Sequence, residues 1–232
     1  MSERIDHEEA YILHTQPWRE TSLLVDAFSR RHGRVSLVAR GARRPQSGIK
    51  ARLLAFQPLW LSWFGKGSLF TLHAAEWQGG DLNLAGRALM CGFYLNELLL
   101  RLLPVGDAHE ALFDRYRHTL RRLADGEPME PVLRGFELDL LAELGYAHSL
   151  GHDASGGAVV AERQYRFTPE HGLHEDRQGT YAGKTLLALA GGDFSDPRTL
   201  AEGKQLMRVL IQHYLGDKPL HTRQLLRDMQ QL

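Results

Sequence analysis

The 232-residue chain balances 28 Lys+Arg against 28 Asp+Glu, with 43% hydrophobic and 24% charged residues. This is the make-up of a soluble globular protein with a real core, in one large or two small domains. No apolar run approaches the roughly 20 residues that span a bilayer, the opening MSERIDHEEA is too acidic for a signal peptide, and a lone Cys91 excludes an internal disulfide and multi-cysteine metal sites. A cytoplasmic protein without a membrane partner is expected.

The first 80 residues read as strands. Ala10–His14 is a short apolar run expected to stop before the Gln16-Pro17 breaker. Ser22–Ser29 and Val35–Arg40 follow, joined by a Gly-bearing hairpin turn at His32-Gly33. Leu59–Phe64 and Leu69–Trp77 pair around Gly65-Lys66-Gly67-Ser68. Five short strands suit a small closed barrel, of which the OB-fold is the common form. Between Arg30 and Arg52 lie Arg30, Arg31, Arg34, Arg40, Arg43, Arg44, Lys50 and Arg52 with no Asp or Glu. In a chain of zero net charge this is a local choice. An anionic polymer would relieve the mutual repulsion by exchanging counterions. The plainer reading is a solvated edge whose charge deters sheet-to-sheet aggregation.

After Gly79-Gly80 the period becomes helical. Helices are expected at Gly86–Leu103, Ala108–Leu123 and Pro131–Leu144, stopped by Pro104 and Gly145 at the first and last. Residues 147–183 lack a period and read as a long irregular excursion, with room for a hairpin at Gln164–Thr168. Thr199–Tyr214 and Thr222–Gln230 close the chain as helices. The expected fold is α+β: an N-terminal five-stranded OB-fold barrel (1–80), then an all-helical C-terminal domain (81–232) carrying the excursion.

Signatures of catalysis fail on inspection. Gly183-Lys184-Thr185 is not a phosphate loop, because the first glycine of that motif would fall at Gln178; a turn into a short helix is expected. His148/His152 and His171/His174 have spacings that zinc tolerates, but structural zinc sites favour thiolates and none is near, so neither a metal nor a cofactor is expected. In Leu59–Phe64, Trp63 shares the core face with Leu59 and Leu61, whereas Trp60 shares the other face with Ser62. Trp60 is either covered core or a platform for stacked bases.

Several segments, in order, resemble the RecO family of bacterial recombination mediators. They are Tyr11-Ile12-Leu13, Arg19-Glu20-Thr21-Ser22-Leu23-Leu24, Gly33-Arg34-Val35, Ala39-Arg40-Gly41-Ala42-Arg43 and Gln57-Pro58-Leu59. The helical half adds Tyr94-Leu95-Asn96-Glu97-Leu98, Arg134-Gly135-Phe136-Glu137-Leu138, Leu144-Gly145-Tyr146 and Tyr214-Leu215-Gly216-Asp217-Lys218-Pro219-Leu220. The resemblance implies an OB-fold, a helical C-terminal domain and no enzymatic turnover. It further implies binding of single- and double-stranded DNA, annealing of complementary strands, contacts with RecR and the tail of single-strand-binding protein, and help in loading RecA, in the cytoplasm at the nucleoid. Many members carry a four-cysteine zinc motif after the Gly-Tyr pair; Gly145-Tyr146 is followed by no cysteine, so zinc is not carried over.

The candidate phosphate contacts are Arg34, Arg40, Arg43, Arg44, Lys50 and Arg52, with Lys66 at a neighbouring hairpin tip and Trp60 as the stacking candidate. The acidic partner tail needs an apolar pocket rimmed by cations. Arg134, Leu138 and Leu141 share a helical face for it, with Arg121 and Arg122 on the preceding helix. The plainer reading makes the two leucines core and pairs Arg134 with a nearby carboxylate. The alternative function is a protein-only adaptor in which the basic loop is solubilising charge; a nucleotide-dependent or hydrolytic enzyme has no motif to support it.

Overall fold

The computed structural model describes residues 3–80, 82–145, 150–216 and 218–230. The chain packs as two compact units, Met1–Gly126 with Leu220–Leu232, and Glu127–Pro219.

In the first unit, β1 (Glu3–Trp18), β2 (Ser22–Ser29), β3 (Gly33–Ala39), β4 (Pro58–Gly65) and β5 (Leu69–Trp77) close a barrel in the order β1-β2-β3-β5-β4. The β3–β5 pair is parallel and the other pairs are antiparallel. This is the five-stranded architecture expected of an OB-fold. A short helix, α1 (Ile49–Arg52), lies between β3 and β4. Alternation along β3 buries Val35, Leu37 and Ala39, and along β4 it buries Leu59, Leu61 and Trp63; these meet Ile12, Val25, Ala27 and Leu72 in one apolar interior. Trp63 is core, as its register predicts, at 1% exposure.

The first strand corrects the sequence reading. β1 is 16 residues long and runs through Gln16-Pro17, because its two halves serve different partners. Glu3–Tyr11 pairs with β4, whereas Ala10–Trp18 pairs with β2. At Pro17 only the β2 side is paired, so a proline's missing N–H can face away from the ladder. Register shifts at Ile5/Glu8 and Ile12/His14 let so long a strand bend around the barrel. His7 sits at the first shift with φ 56° and its N–H donates to Ser62 Oγ at 3.1 Å.

Two helices cover the β1–β2 side. α2 (Gly86–Leu102) buries Leu95, Leu98 and Leu99, and α3 (Glu110–Ala124) buries Leu112, Phe113, Tyr116, Leu120 and Leu123 along one stripe. Tyr11 and Phe28, on the outer face of the barrel, pack against Phe113 and Tyr116 with ring centroids 5.2–6.2 Å apart. Asn96 Nδ2 donates to Leu13 O at 3.0 Å and its Oδ1 accepts from the Tyr116 hydroxyl, so the buried amide is satisfied across the joint. The last helix, α7 (His221–Gln230), returns to this unit. Its first N–H groups, from His221 and Thr222, donate to the Glu97 carboxylate at 2.9 Å each.

The second unit holds α4 (Met129–Glu143), β6 (Gln164–Thr168), β7 (Gly172–Glu175), β8 (Tyr181–Ala182), α5 (Gly183–Ala190) and α6 (Pro197–Leu215). The excursion is therefore not irregular throughout: β7-β6-β8 form a small antiparallel sheet. Its strands are too short for a visible period, but Tyr165, Phe167, Leu173 and Tyr181 supply a buried side. α6 begins at an Asp196 cap that accepts from Arg198 N, with Pro197 at the first helical position. Gly203 lets that helix approach α5, since a Cβ there would meet Leu189 Cδ2 at 2.8 Å.

Candidate nucleic-acid interface

The acid-free basic stretch divides into two parts of opposite character. Its first cations are neutralised by carboxylates remote in sequence. Glu8 is fully buried; it accepts from Arg31 N at 2.7 Å and from Arg31 Nε at 2.8 Å. Arg30 bridges Glu9 at 2.6 Å and Asp114, and Arg117 reaches the other oxygen of Glu9 at 2.7 Å. Both guanidiniums lie over the Phe113 ring, 5.1 and 5.3 Å from its centroid. Burial opposes ionisation of Glu9, but hydrogen bonds from Arg117 and Arg30 outweigh it and hold its carboxyl below the usual range. The bond to Asp114 raises Arg30 above its already high value, with Glu9 adding to it.

Arg34 is held by backbone groups instead. Its Nε donates to Leu103 O at 3.1 Å, and its carbonyl accepts from Gly106 N at 2.9 Å, binding the segment after α2 onto β3. Beside it Gly33, at φ +60°, lies so close that a Cβ would fall 1.7 Å from Asp107 O. Arg34, a phosphate contact expected from sequence, is thus half-buried with its Nε on a backbone carbonyl, less open than the cations that follow it.

The remaining five, Arg40, Arg43, Arg44, Lys50 and Arg52, are exposed. Among the described residues no carboxylate pairs with any of them. The segment that carries them is nevertheless ordered from within. Ala42 is buried in the barrel interior, Arg43 N donates to Thr21 O at 2.8 Å, and Ser47 N donates to Arg44 O at 2.9 Å. Arg43 Nη1 reaches Arg19 O and Glu20 O, and Arg52 Nη1 reaches Ala75 O, all at 3.2–3.3 Å. Backbone carbonyls orient these guanidiniums without cancelling their charge. Lys66 is exposed at the β4–β5 turn.

The aromatic residues divide too. Trp60 is half-buried and stacks on His7, centroids 5.2 Å apart and planes 11° from parallel. Its cross-strand neighbours are Glu9 and Glu76. Phe64, four residues along the same face, is 41% exposed and meets His73 edge-on at 6.3 Å. Sequence reading passed over this pair, although a signal was available: Asp and Glu are absent all the way from Ala27 to Ala75, through β3, β4 and most of β5.

The residues assigned to an acidic tail fare differently. Arg134 is buried and pairs with Glu137 one turn along α4, Leu141 is core and Leu138 is half-buried. Arg134 is therefore no rim cation; its charge is taken up inside the helix packing. Arg121 and Arg122, exposed and half-buried on α3, belong to the other unit.

Neither a phosphate loop nor a zinc site is supported by the residues in the second unit. The Glu202 carboxylate accepts from Ala182 N at 2.9 Å at the start of α5, where a phosphate would have to sit. Burial works against its ionisation, but bonds from Arg198, Ala182 N and Thr185 overcome this and keep it below the usual range. The loop after α4 is closed by Asp153 Oδ1, which accepts from Ser155 N, Ser155 Oγ and Gly157 N at 2.6–2.9 Å. Cys91 is buried in α2, in the other unit, so thiolate ligands are lacking and zinc does not fit. His148 lies outside the described residues, and among those described no group of three His, Cys, Asp or Glu is placed to hold a metal. Nor is any described helix long and apolar enough to cross a membrane.

Comparison with known proteins matches this architecture along the chain. Residues 1–80 match the family model for the recombination protein O N terminal, and residues 84–224 that for its C terminal. The chain is 53% identical to the DNA repair protein RecO of Thiobacillus denitrificans over 99% of its own length and 94% of that protein's. It is 51% identical to the RecO of an Azoarcus species, covering 100% and 99%, and 51% identical to that of Aromatoleum aromaticum, covering 99% and 98%. A closed five-stranded barrel, helices after it, and half-identity over the whole length lead to one conclusion: the chain belongs to the RecO family of DNA repair proteins.

Proposed function

We propose that the chain is a non-enzymatic recombination mediator that binds single- and double-stranded DNA and anneals complementary strands. As the family resemblance implies, it helps load RecA onto single strands coated by single-strand-binding protein, with RecR and the tail of that protein as partners, in the cytoplasm at the nucleoid. The observation that carries the DNA reading is the exposure of Arg40, Arg43, Arg44, Lys50 and Arg52 without carboxylate partners, on an ordered segment of an OB-type barrel. Lys66 adds a cation at the neighbouring turn.

These groups neutralise phosphates and carry no base readout, so affinity is sequence-tolerant and falls steeply with salt. Annealing then needs no catalytic residue. Neutralising two strands removes the repulsion between them, and base pairing supplies the drive. For the acidic tail, Arg121 on α3 remains an exposed cation, whereas Arg134 is engaged. The test is equilibrium binding to an unstructured oligonucleotide over a salt series. A linear fall of log affinity against log salt, with a slope of several units, is expected. Lack of binding at low salt by a folded protein would overturn the reading in favour of a protein-only adaptor.

A further inference from the structure

We infer that Phe64 and His73 form a base-stacking platform that gives this barrel its hold on unpaired bases. The inference rests on the DNA-binding reading above and adds a ligand class, the exposed nucleobase of a single strand. Four observations converge. The Phe64 ring is 41% exposed on the outer face of β4 and is braced edge-on by His73 of β5, so it is held in place yet open on one side. The parallel β3–β5 ladder ends at Val38 and Thr71, and β3 itself ends at Ala39, so the basic segment begins with Arg40 just past the strand that pairs with the one carrying His73. Lys66 stands two residues beyond Phe64 at the turn. No carboxylate occurs in β3, in β4, or in β5 before Glu76.

Charge decides between this platform and Trp60. Glu76 is directly across the ladder from Trp60, roughly 5 Å away. Phe64 is four residues further along β4, about 13 Å off, beyond the ~10 Å over which salt screens a charge. A nucleotide at Trp60 would bring its phosphate against Glu76, and the Trp60 face already carries the His7 ring. Phe64 instead faces Arg4 across the β1–β4 ladder and Thr71 across the β4–β5 ladder. Arg4 is bonded to Asp6 and Glu3 lies opposite Gly65, but no carboxylate is directly across from Phe64, which is 41% exposed. A duplex keeps its bases stacked on one another, so this contact is available to single strands alone.

The test compares oligothymidylate, an abasic strand of the same length and a mixed-sequence duplex, for the full-length protein and for Phe64→Leu, Phe64→Tyr and Trp60→Leu. Leucine keeps the apolar bulk and removes the π face. Phe64→Leu is expected to weaken oligothymidylate binding about fivefold or more while leaving the abasic strand, the duplex and the salt slope unchanged. Phe64→Tyr should restore the affinity, and Trp60→Leu should leave the ratio of oligothymidylate to abasic binding as it was. Equal wild-type affinity for the oligothymidylate and abasic strands, or an unchanged Phe64→Leu, overturns the platform while the phosphate-binding reading stands. Wild-type protein that binds none of the three overturns both.

Discussion

Arg30, Arg31 and Arg34 belong to the same acid-free stretch as Arg40, Arg43, Arg44, Lys50 and Arg52, yet the two groups have different fates. The first group is met by Glu8, Glu9, Asp114 and the Leu103 carbonyl, groups brought to it from β1, α3 and the segment after α2. The second projects from a segment pinned by a buried alanine and backbone bonds, where Arg43 and Arg52 bond backbone carbonyls and, among the described residues, no carboxylate pairs with any of the five. Local sequence separates cations from acids along the chain, but an arginine's role is set by which carboxylates the fold carries to it. In the first group Arg30 ties the barrel to α3 and Arg31 neutralises a buried carboxylate of β1; in the second no described carboxylate cancels the charge.

That contrast can be broken at several points. The largest effect is expected at Arg134, a third kind of arginine, buried against Glu137. Arg134→Ala leaves a fully buried carboxylate without that partner and should cost about 3 kcal/mol, read as a lower urea midpoint, with DNA affinity of the folded protein unchanged. A variant of wild-type stability that loses affinity for an acidic tail peptide would instead return Arg134 to the binding surface.

Next comes Arg30→Ala, which removes bonds to Glu9 and Asp114 and a contact over Phe113. A loss of about 2 kcal/mol is expected, by chemical denaturation, with the salt slope of DNA binding preserved. Should the slope fall as it does for the loop arginines, the division between the two groups would not hold.

Arg43→Ala with Arg44→Ala is the mirror image. Stability should stay within about 0.5 kcal/mol, while the log–log salt slope on single strands drops by about 0.7 for each phosphate that is no longer neutralised. An unchanged slope with an intact fold would exclude this segment from the interface.

The most local effect concerns Glu97, a carboxylate that serves backbone N–H groups. Burial opposes its ionisation, but the Thr222 hydroxyl and N–H, the His221 N–H and the Arg101 charge outweigh it and depress its value. Its contribution is therefore full above the ordinary glutamate value of about 4.3 and is lost as pH falls through the lower folded value. Amide exchange at His221 and Thr222 should accelerate in that acidic window, and Glu97→Gln, costing about 1 kcal/mol, should remove the acid-dependent part. Exchange that is independent of pH in the wild type, after correction for intrinsic rates, would show that the cap does not depend on the charge.

Much of this protein was determined by sequence alone. Period-2 alternation in Ser22–Ser29, Leu59–Phe64 and Leu69–Trp77 and helical spacing in Leu89–Leu102 depend on neighbours within one element, so the barrel-then-helices order and the buried Trp63 could be read directly. The acid-free basic cluster was legible in the same way, but not which of its cations stay exposed. Only the tertiary structure decided what depends on residues far apart in the chain. β1 continues through Pro17 because one of its edges is unpaired there. Arg34 is an anchor because the chain after α2 returns across β3. Phe64 is open while Trp60 carries a histidine ring and faces Glu76, because strand register chooses the neighbours. Pairing across a ladder and ion pairing across elements are non-local, and a linear pattern records neither.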